Sequence, residues 1–184
     1  DTVSAAGHPF GFSAFAGIDF QPYGDSPDSG QFAWIAGTAG PREAISQQVS
    51  GLQVGSPTPI RFQYTNLGLY DSAGNIATAA FGSQNYNNSG ELRVLVDGNV
   101  IATTPPMAAF ASAGTNVWSD FSTSFTPTQS THTFAFAAFS TSSNGSGHVG
   151  MGIDAASLVI PEPASTVLFL MSIGGMLKRR NRRA

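Results

Sequence analysis

The chain has no cysteine, which excludes disulfide scaffolds, thiol catalysis, zinc ribbons and iron–sulfur sites. Charge is almost as scarce: Asp, Glu, Lys and Arg make up 10% of the 184 residues, against roughly 25% in a typical soluble protein. A helical protein would need more Glu, Lys, Leu and Arg than this. His8, His132 and His148 are far apart, and no H-x-x-H or H-E-x-x-H spacing offers a catalytic zinc site. No G-x-S-x-G elbow carries a hydrolase nucleophile. Gly150-Met151-Gly152 has no lysine near it to make a phosphate loop. What remains is 41% hydrophobic, with 21 glycines and 11 prolines. That is too apolar for a disordered chain, and it suits a β-rich extracellular domain with one core.

The charge that is present is split. Residues 1–160 hold three arginines and no lysine against ten carboxylates, a formal balance of −7. Residues 161–184 hold Lys178, Arg179, Arg180, Arg182 and Arg183 against Glu162 alone, or +4. A body this acidic offers no footprint for nucleic acid, whose phosphates are neutralised by Lys and Arg. The basic cluster follows Ala164–Leu177, an uncharged run interrupted by Gly174-Gly175. As a helix at about 1.5 Å per residue this run reaches roughly 21 Å, short of a ~30 Å hydrocarbon core. Length alone allows a buried core helix. The flanks favour a transmembrane anchor: Pro161 and Pro163 stop the helix on one side, and snorkelling basic side chains extend it on the other. The positive end then belongs in the cytoplasm and the acidic body across the membrane. A body outside implies an export signal, yet DTVSAAGHPF has neither the basic start nor the apolar core of one. The expectation is a signal peptide already removed.

The order Pro161-Glu162-Pro163, short apolar run, Arg-rich end resembles the PEP-CTERM sorting signal of Gram-negative bacteria. The resemblance implies that exosortase, a membrane-embedded cysteine transpeptidase-like enzyme, recognises this tail. Pro161, Glu162 and Pro163 would be the processing motif, and Lys178, Arg179, Arg180, Arg182 and Arg183 the stop of a temporary anchor. It further implies release of the body to the cell surface or extracellular matrix, alongside exopolysaccharide and biofilm production.

The body reads as strands. β-branched and aromatic runs recur at Phe10–Phe20, Gln31–Ala36, Ala44–Ser50, Ile60–Leu69, Leu92–Val96, Val100–Thr103, Val117–Phe125, Thr131–Ser140 and Val149–Ile160. Alternation is clearest in Arg61-Phe62-Gln63-Tyr64 and Thr133-Phe134-Ala135-Phe136. Asp97-Gly98 between two such runs predicts a tight hairpin. Asp71–Gly90 is the longest expected loop, and loops of that length in compact domains are usually functional or disordered. The expected fold is all-β: a jelly-roll β-sandwich of about nine strands over residues 1–160, followed by a hydrophobic helix and basic tail over 161–184.

Ala44-Ile45-Ser46-Gln47-Gln48-Val49-Ser50-Gly51-Leu52, then Ile60-Arg61-Phe62-Gln63-Tyr64, resembles a stretch of galactose-binding-like carbohydrate modules. Gly152-Ile153-Asp154-Ala155-Ala156-Ser157-Leu158 is similar to their closing I-D-D/N-V-S-L strand, with Ala155 in place of the usual second polar residue. Such modules often carry a structural calcium between first and last strands, which implies Asp19 and Asp154 as ligands; the alternative is surface or hydrogen-bonded aspartate. Calcium takes six to eight oxygens, which two carboxylates, carbonyls and water supply.

Sugar binding by such sandwiches uses an aromatic platform beside amides and carboxylates. Tyr70, Asp71, Asn85, Tyr86 and Asn87 provide that mixture in the long loop, and Tyr23 beside Asp25 and Asp28 provides a second cluster. The alternative is a solvated polar loop whose tyrosines pack back on the sheet. Trp34 and Trp118 lie in apolar strand patterns and are expected in the core, while His132, near a strand start, is expected at a surface or edge. The scattered carboxylates, Asp97 and Asp120 among them, are expected at loop edges, where Asp caps local backbone. The leading expectation is therefore a non-catalytic, exosortase-sorted surface protein that associates with exopolysaccharide or another glycan. Self-association of its strands as a matrix protein is the second reading, and a polysaccharide-active enzyme the third.

Overall fold

The computed structural model describes residues 2–4, 31–38, 43–68, 88–109, 117–141 and 147–159. Every regular element among them is a strand: β1 (Thr2–Ser4), β2 (Gln31–Gly37), β3 (Ala44–Ser50), β4 (Thr58–Asn66), β5 (Gly90–Val96), β6 (Asn99–Thr103), β7 (Ser119–Phe125), β8 (Thr131–Ser140) and β9 (Val149–Leu158). They form two antiparallel sheets, sheet A in the order β1-β2-β9-β4-β7 and sheet B in the order β3-β8-β5-β6. From β2 onward the chain changes sheet at every connection except the β5–β6 hairpin. The order 2-9-4-7 facing 3-8-5-6 is that of a jelly roll, as the strand pattern predicts. β3 and β8 have the expected bounds. The three-residue β1 carries too little pattern to be read in advance. The expected strand Phe10–Phe20 and the tail 161–184 lie outside the described residues. Among the described residues no helix is long and apolar enough to cross a membrane.

Period-two alternation places Ile35, Ile60, Phe62, Tyr64, Leu92, Val94, Phe134, Met151 and Ile153 in one core between the sheets. Phe62 joins the layers, its ring centroid 4.9 Å from Phe136 of sheet B and 5.2 Å from Phe121 of its own sheet. Sheet A is buried on part of its other face as well. Phe32, Trp34, Thr65 and Leu67 are buried there, and Phe32 meets Trp118 edge-on at 5.3 Å. Trp34 is thus buried as expected, but on the side of sheet A away from the inter-sheet core. β9 admits these rings by presenting Gly150 and Gly152 on that face: a Cβ on Gly152 would sit 2.9 Å from both Leu67 and Thr65.

Val96 pairs with Asn99 across a two-residue turn in which Asp97 (φ 49°) and Gly98 (φ 81°) are both left-handed, the type I′ hairpin that Asp-Gly predicts. The Asp97 carboxylate reaches β8 rather than its own turn. It accepts from the Thr133 amide at 2.9 Å and from Nδ1 of His132 at 2.5 Å. His132 is therefore not at the surface: it is 4% exposed, on the inward face of β8, with Phe125 edge-on at 4.8 Å. Its Nε2 accepts from the Thr128 and Gln129 amides, so the ring proton sits on Nδ1. Nor is Asp120 at a loop edge, since it lies inside β7.

The Thr133 amide first, and then His132, hold the Asp97 carboxyl below its ordinary value. A folded value below the unfolded one means this stabilisation is full above the ordinary carboxylate range and is lost as pH falls through it. Asp97→Asn should therefore be less stable than the parent near neutrality, with the gap closing between roughly pH 5 and pH 3. Denaturant midpoints across that range check it; a gap that persists at low pH contradicts it.

Candidate functional site

The face of sheet A turned away from the core carries two polar rows. Arg61 of β4 stands opposite Ser122 of β7 and Ser157 of β9; Gln63 of β4 stands opposite Asp120 of β7 and Asp154 of β9. Residues directly opposite in antiparallel strands share a face with Cβ atoms ~5 Å apart. The rows exist because β4 alternates: Ile60, Phe62 and Tyr64 enter the core, which leaves Arg61 and Gln63 to face out. An open cleft of about 440 Å³ lies over them, lined by Arg61, Gln63, Asp120, Ser122 and Ala155. Gln63 Nε2 donates to Asp120 Oδ1 at 2.9 Å, which orients the amide. The cleft therefore presents a guanidinium, an amide, a carboxylate and a hydroxyl over a floor formed where Phe62 and Phe121 turn their rings into the core.

A β-bulge closes the β9 side. Between the pairs Gln63↔Asp154 and Arg61↔Ser157, β9 has Ala155 and Ala156 where β4 has only Phe62. Ala155 takes the left-handed conformation there, φ 50°. An L-residue with a Cβ costs about 1–2 kcal/mol in that region, and Asn and Asp are the side chains that tolerate it best. Ala155→Gly should stabilise the fold by roughly 1 kcal/mol through relief of this strain. A thermal or denaturant midpoint equal to or below the parent's would contradict it.

Asp154 is 7% exposed. Its Oδ1 accepts from the Ala155 amide at 2.7 Å, and its Oδ2 is buried with no hydrogen-bond partner. An orphaned carboxylate oxygen is a donor that a hard cation takes, so Asp154 fits half of the expected calcium pair. Its expected partner Asp19 lies outside the described residues. Among the described residues no group of three or more acidic or histidine side chains gathers to hold a metal.

The remaining expected site residues, Tyr23, Tyr70, Asp71, Asn85, Tyr86, Asn87, Pro161, Glu162, Pro163, Lys178, Arg179, Arg180, Arg182 and Arg183, lie outside the described residues. The two ends of the long loop are nevertheless fixed. Buried Asn66 accepts from the Gly68 amide and donates to the carbonyls of Asn88 and Met107 at 2.9 and 2.8 Å. Sequence reading missed Arg61, Gln63, Asp120 and Ser122 as a group. The signal was the alternation of 60–64 and 119–125, but only the β4–β7 register brings the four together.

No protein-family model and no curated protein matches the chain. Similar solved structures include the C-terminal domain of EclA, a sugar-binding protein, at 12% identity and a TM-score of 0.43, with 83% of this chain and 98% of that one covered. A CBM4 module follows at 13% identity and 0.41, covering 78% and 91%. The insecticidal δ-endotoxin Cry8Ea1 from Bacillus thuringiensis stands at 14% and 0.40, covering 72% of this chain and 20% of that one. At these values the likeness carries no argument about a ligand. The neighbours include carbohydrate-binding modules of β-sandwich fold.

Proposed function

We propose that this is an exported, exosortase-sorted protein of the cell surface or matrix that associates, without catalysis, with exopolysaccharide through the outer face of sheet A. The observation that carries the glycan reading is the pair of polar rows, with Arg61, Gln63, Asp120 and Ser122 in one open cleft. Sugar hydroxyls each donate and accept, and a planar guanidinium, amide and carboxylate at strand spacing meet vicinal hydroxyls two at a time. What supports the non-catalytic reading is the carboxylate count: glycoside hydrolysis uses two, and among the described residues Asp120 is the carboxylate that lines this cleft, Asp154 being buried and bound to its neighbour's amide.

The sorting half rests on the tripartite tail: Pro161-Glu162-Pro163, the apolar run and the basic stop. Cell fractionation tests it: the account expects a body shortened near Pro161 outside the cell. An intact chain found only in the cytosol contradicts it. Affinity electrophoresis through gels containing alginate, xylan or dextran tests the glycan half, with retardation expected in at least one gel.

Calcium belongs to the same reading. Asp154 Oδ2 would be one ligand and Asp19 a second, the ion tying the last strand to an early segment of the chain. The melting temperature should then rise with calcium and fall with chelator in the parent but not in Asp154→Asn. Identical melting of the parent under both conditions contradicts the site.

A further inference from the structure

Among the described residues β3 is an edge strand of sheet B, paired on one side with β8. Its seven residues, Ala44-Ile45-Ser46-Gln47-Gln48-Val49-Ser50, contain no charge and no proline, and Ala44, Ser46, Gln47, Gln48 and Ser50 are exposed. Protein edges are ordinarily guarded by lysine, proline or a bulge, because an open edge pairs with other strands. None of these guards is present on β3.

The side chains say which strand fits. Ile45, Gln47 and Val49 share a face with Phe136, Phe134 and His132, their partners on β8. On that face an apolar groove of about 270 Å³ runs beside the edge, lined by Ile45, Val49, Phe134, Phe136, Ile60 and Leu158. An antiparallel copy of β3 centred on Gln47 places Ile45 opposite the partner's Val49, Ser46 opposite the partner's Gln48 and Ala44 opposite the partner's Ser50. All seven residues pair: the large apolar side chains Ile45 and Val49 meet each other, Ser46, Gln47 and Gln48 meet polar partners, and only the small Ala44 lies against a serine. Glu43, just before the strand, falls opposite the partner's Gly51, so no like charges meet. A shift to the next same-face register sets Ile45 against glutamine and Glu43 against Val49, or shortens the pairing. The strand is complementary to itself in one register, as a two-fold interface demands.

We infer that two copies of the chain join edge to edge through β3, antiparallel about Gln47, so that their B sheets become one continuous sheet and their apolar grooves meet. The bonding is the main-chain ladder of strand addition, with the Ile45–Val49 contacts fixing register. It is independent of the glycan reading, since no β3 residue lines the polar cleft.

The absence of cysteine makes the test clean. In the full chain held in detergent micelles, Gln47→Cys meets its own copy at about 4.5–5.5 Å between Cα atoms, within disulfide reach. Ser46→Cys meets its own copy only diagonally, at roughly 8 Å, beyond that reach. Oxidation should cross-link Gln47→Cys roughly tenfold more than Ser46→Cys, while a mixture of Ser46→Cys with Gln48→Cys cross-links well. Gln47→Lys, which sets two ammonium groups face to face, should sediment as monomer with unchanged melting, and mixing it with Gln47→Glu should restore the dimer. Cross-linking equal at 46 and 47, or a Gln47→Lys protein that associates like the parent, overturns the inference. Tail-driven association would give both of those results.

Discussion

Gly150→Ala is expected to cost about 2–3 kcal/mol, as overpacking of a closed site does. The added Cβ would lie 2.5 Å from Nε1 of Trp34 and 2.6 Å from the carbonyl oxygen of Gly68. Neither neighbour can retreat cheaply. Trp34 is buried in the layer it forms with Phe32, Leu67 and Trp118. The Gly68 backbone is held in a left-handed bend by Asn66 Oδ1, and the adjacent Leu67 amide donates to Gly150 itself at 2.7 Å. The substitution therefore pries the indole off β9 or breaks the chain's exit from β4. A loss of this size lowers the melting temperature by roughly 4–12 °C in a domain of this length. A denaturant midpoint unchanged from the parent's would mean that Trp34 does not lie over Gly150.

Arg61→Ala and Gln63→Ala are each expected to weaken glycan binding about tenfold, the worth of one hydrogen bond to a charged or well-oriented group. The two together should lose roughly a hundredfold if their contacts are independent. Both side chains face out of the sheet, away from the core filled by Ile60, Phe62 and Tyr64, so melting should barely move. Retardation in polysaccharide gels reads the first effect and circular dichroism the second. Gel mobility indifferent to both substitutions would remove the cleft from the account and return the platform to Tyr86 and its loop.

These predictions show which parts of the protein local pattern carries. Alternation in Thr131–Ser140 and Ala44–Ser50 was enough to set strand bounds, because each side chain's burial depends on its own strand's pleat. Asp97-Gly98 announced its hairpin because the turn type demands two left-handed residues in sequence. The cleft was not legible, because Gln63 meets Asp120 across 57 residues and Asp154 across more, and register over such separations is set by packing. His132 was misplaced for the same reason. Flanking threonines suggested an edge, whereas the carboxylate that satisfies its ring comes from a turn 35 residues earlier. Gly150 and Gly152 fell inside an expected strand with no local reason for two glycines there; the reason is side chains from elsewhere in the chain, Trp34 over Gly150 and Leu67, Thr65 and Trp118 over Gly152.

The most direct test is to titrate a retained polysaccharide into isotope-labelled protein and map which amides shift. The account predicts perturbation of residues 61–63 on β4, 120–122 on β7 and 154–157 around the bulge, with sheet B silent. Shifts confined to sheet B, or none at saturating polysaccharide, would contradict it.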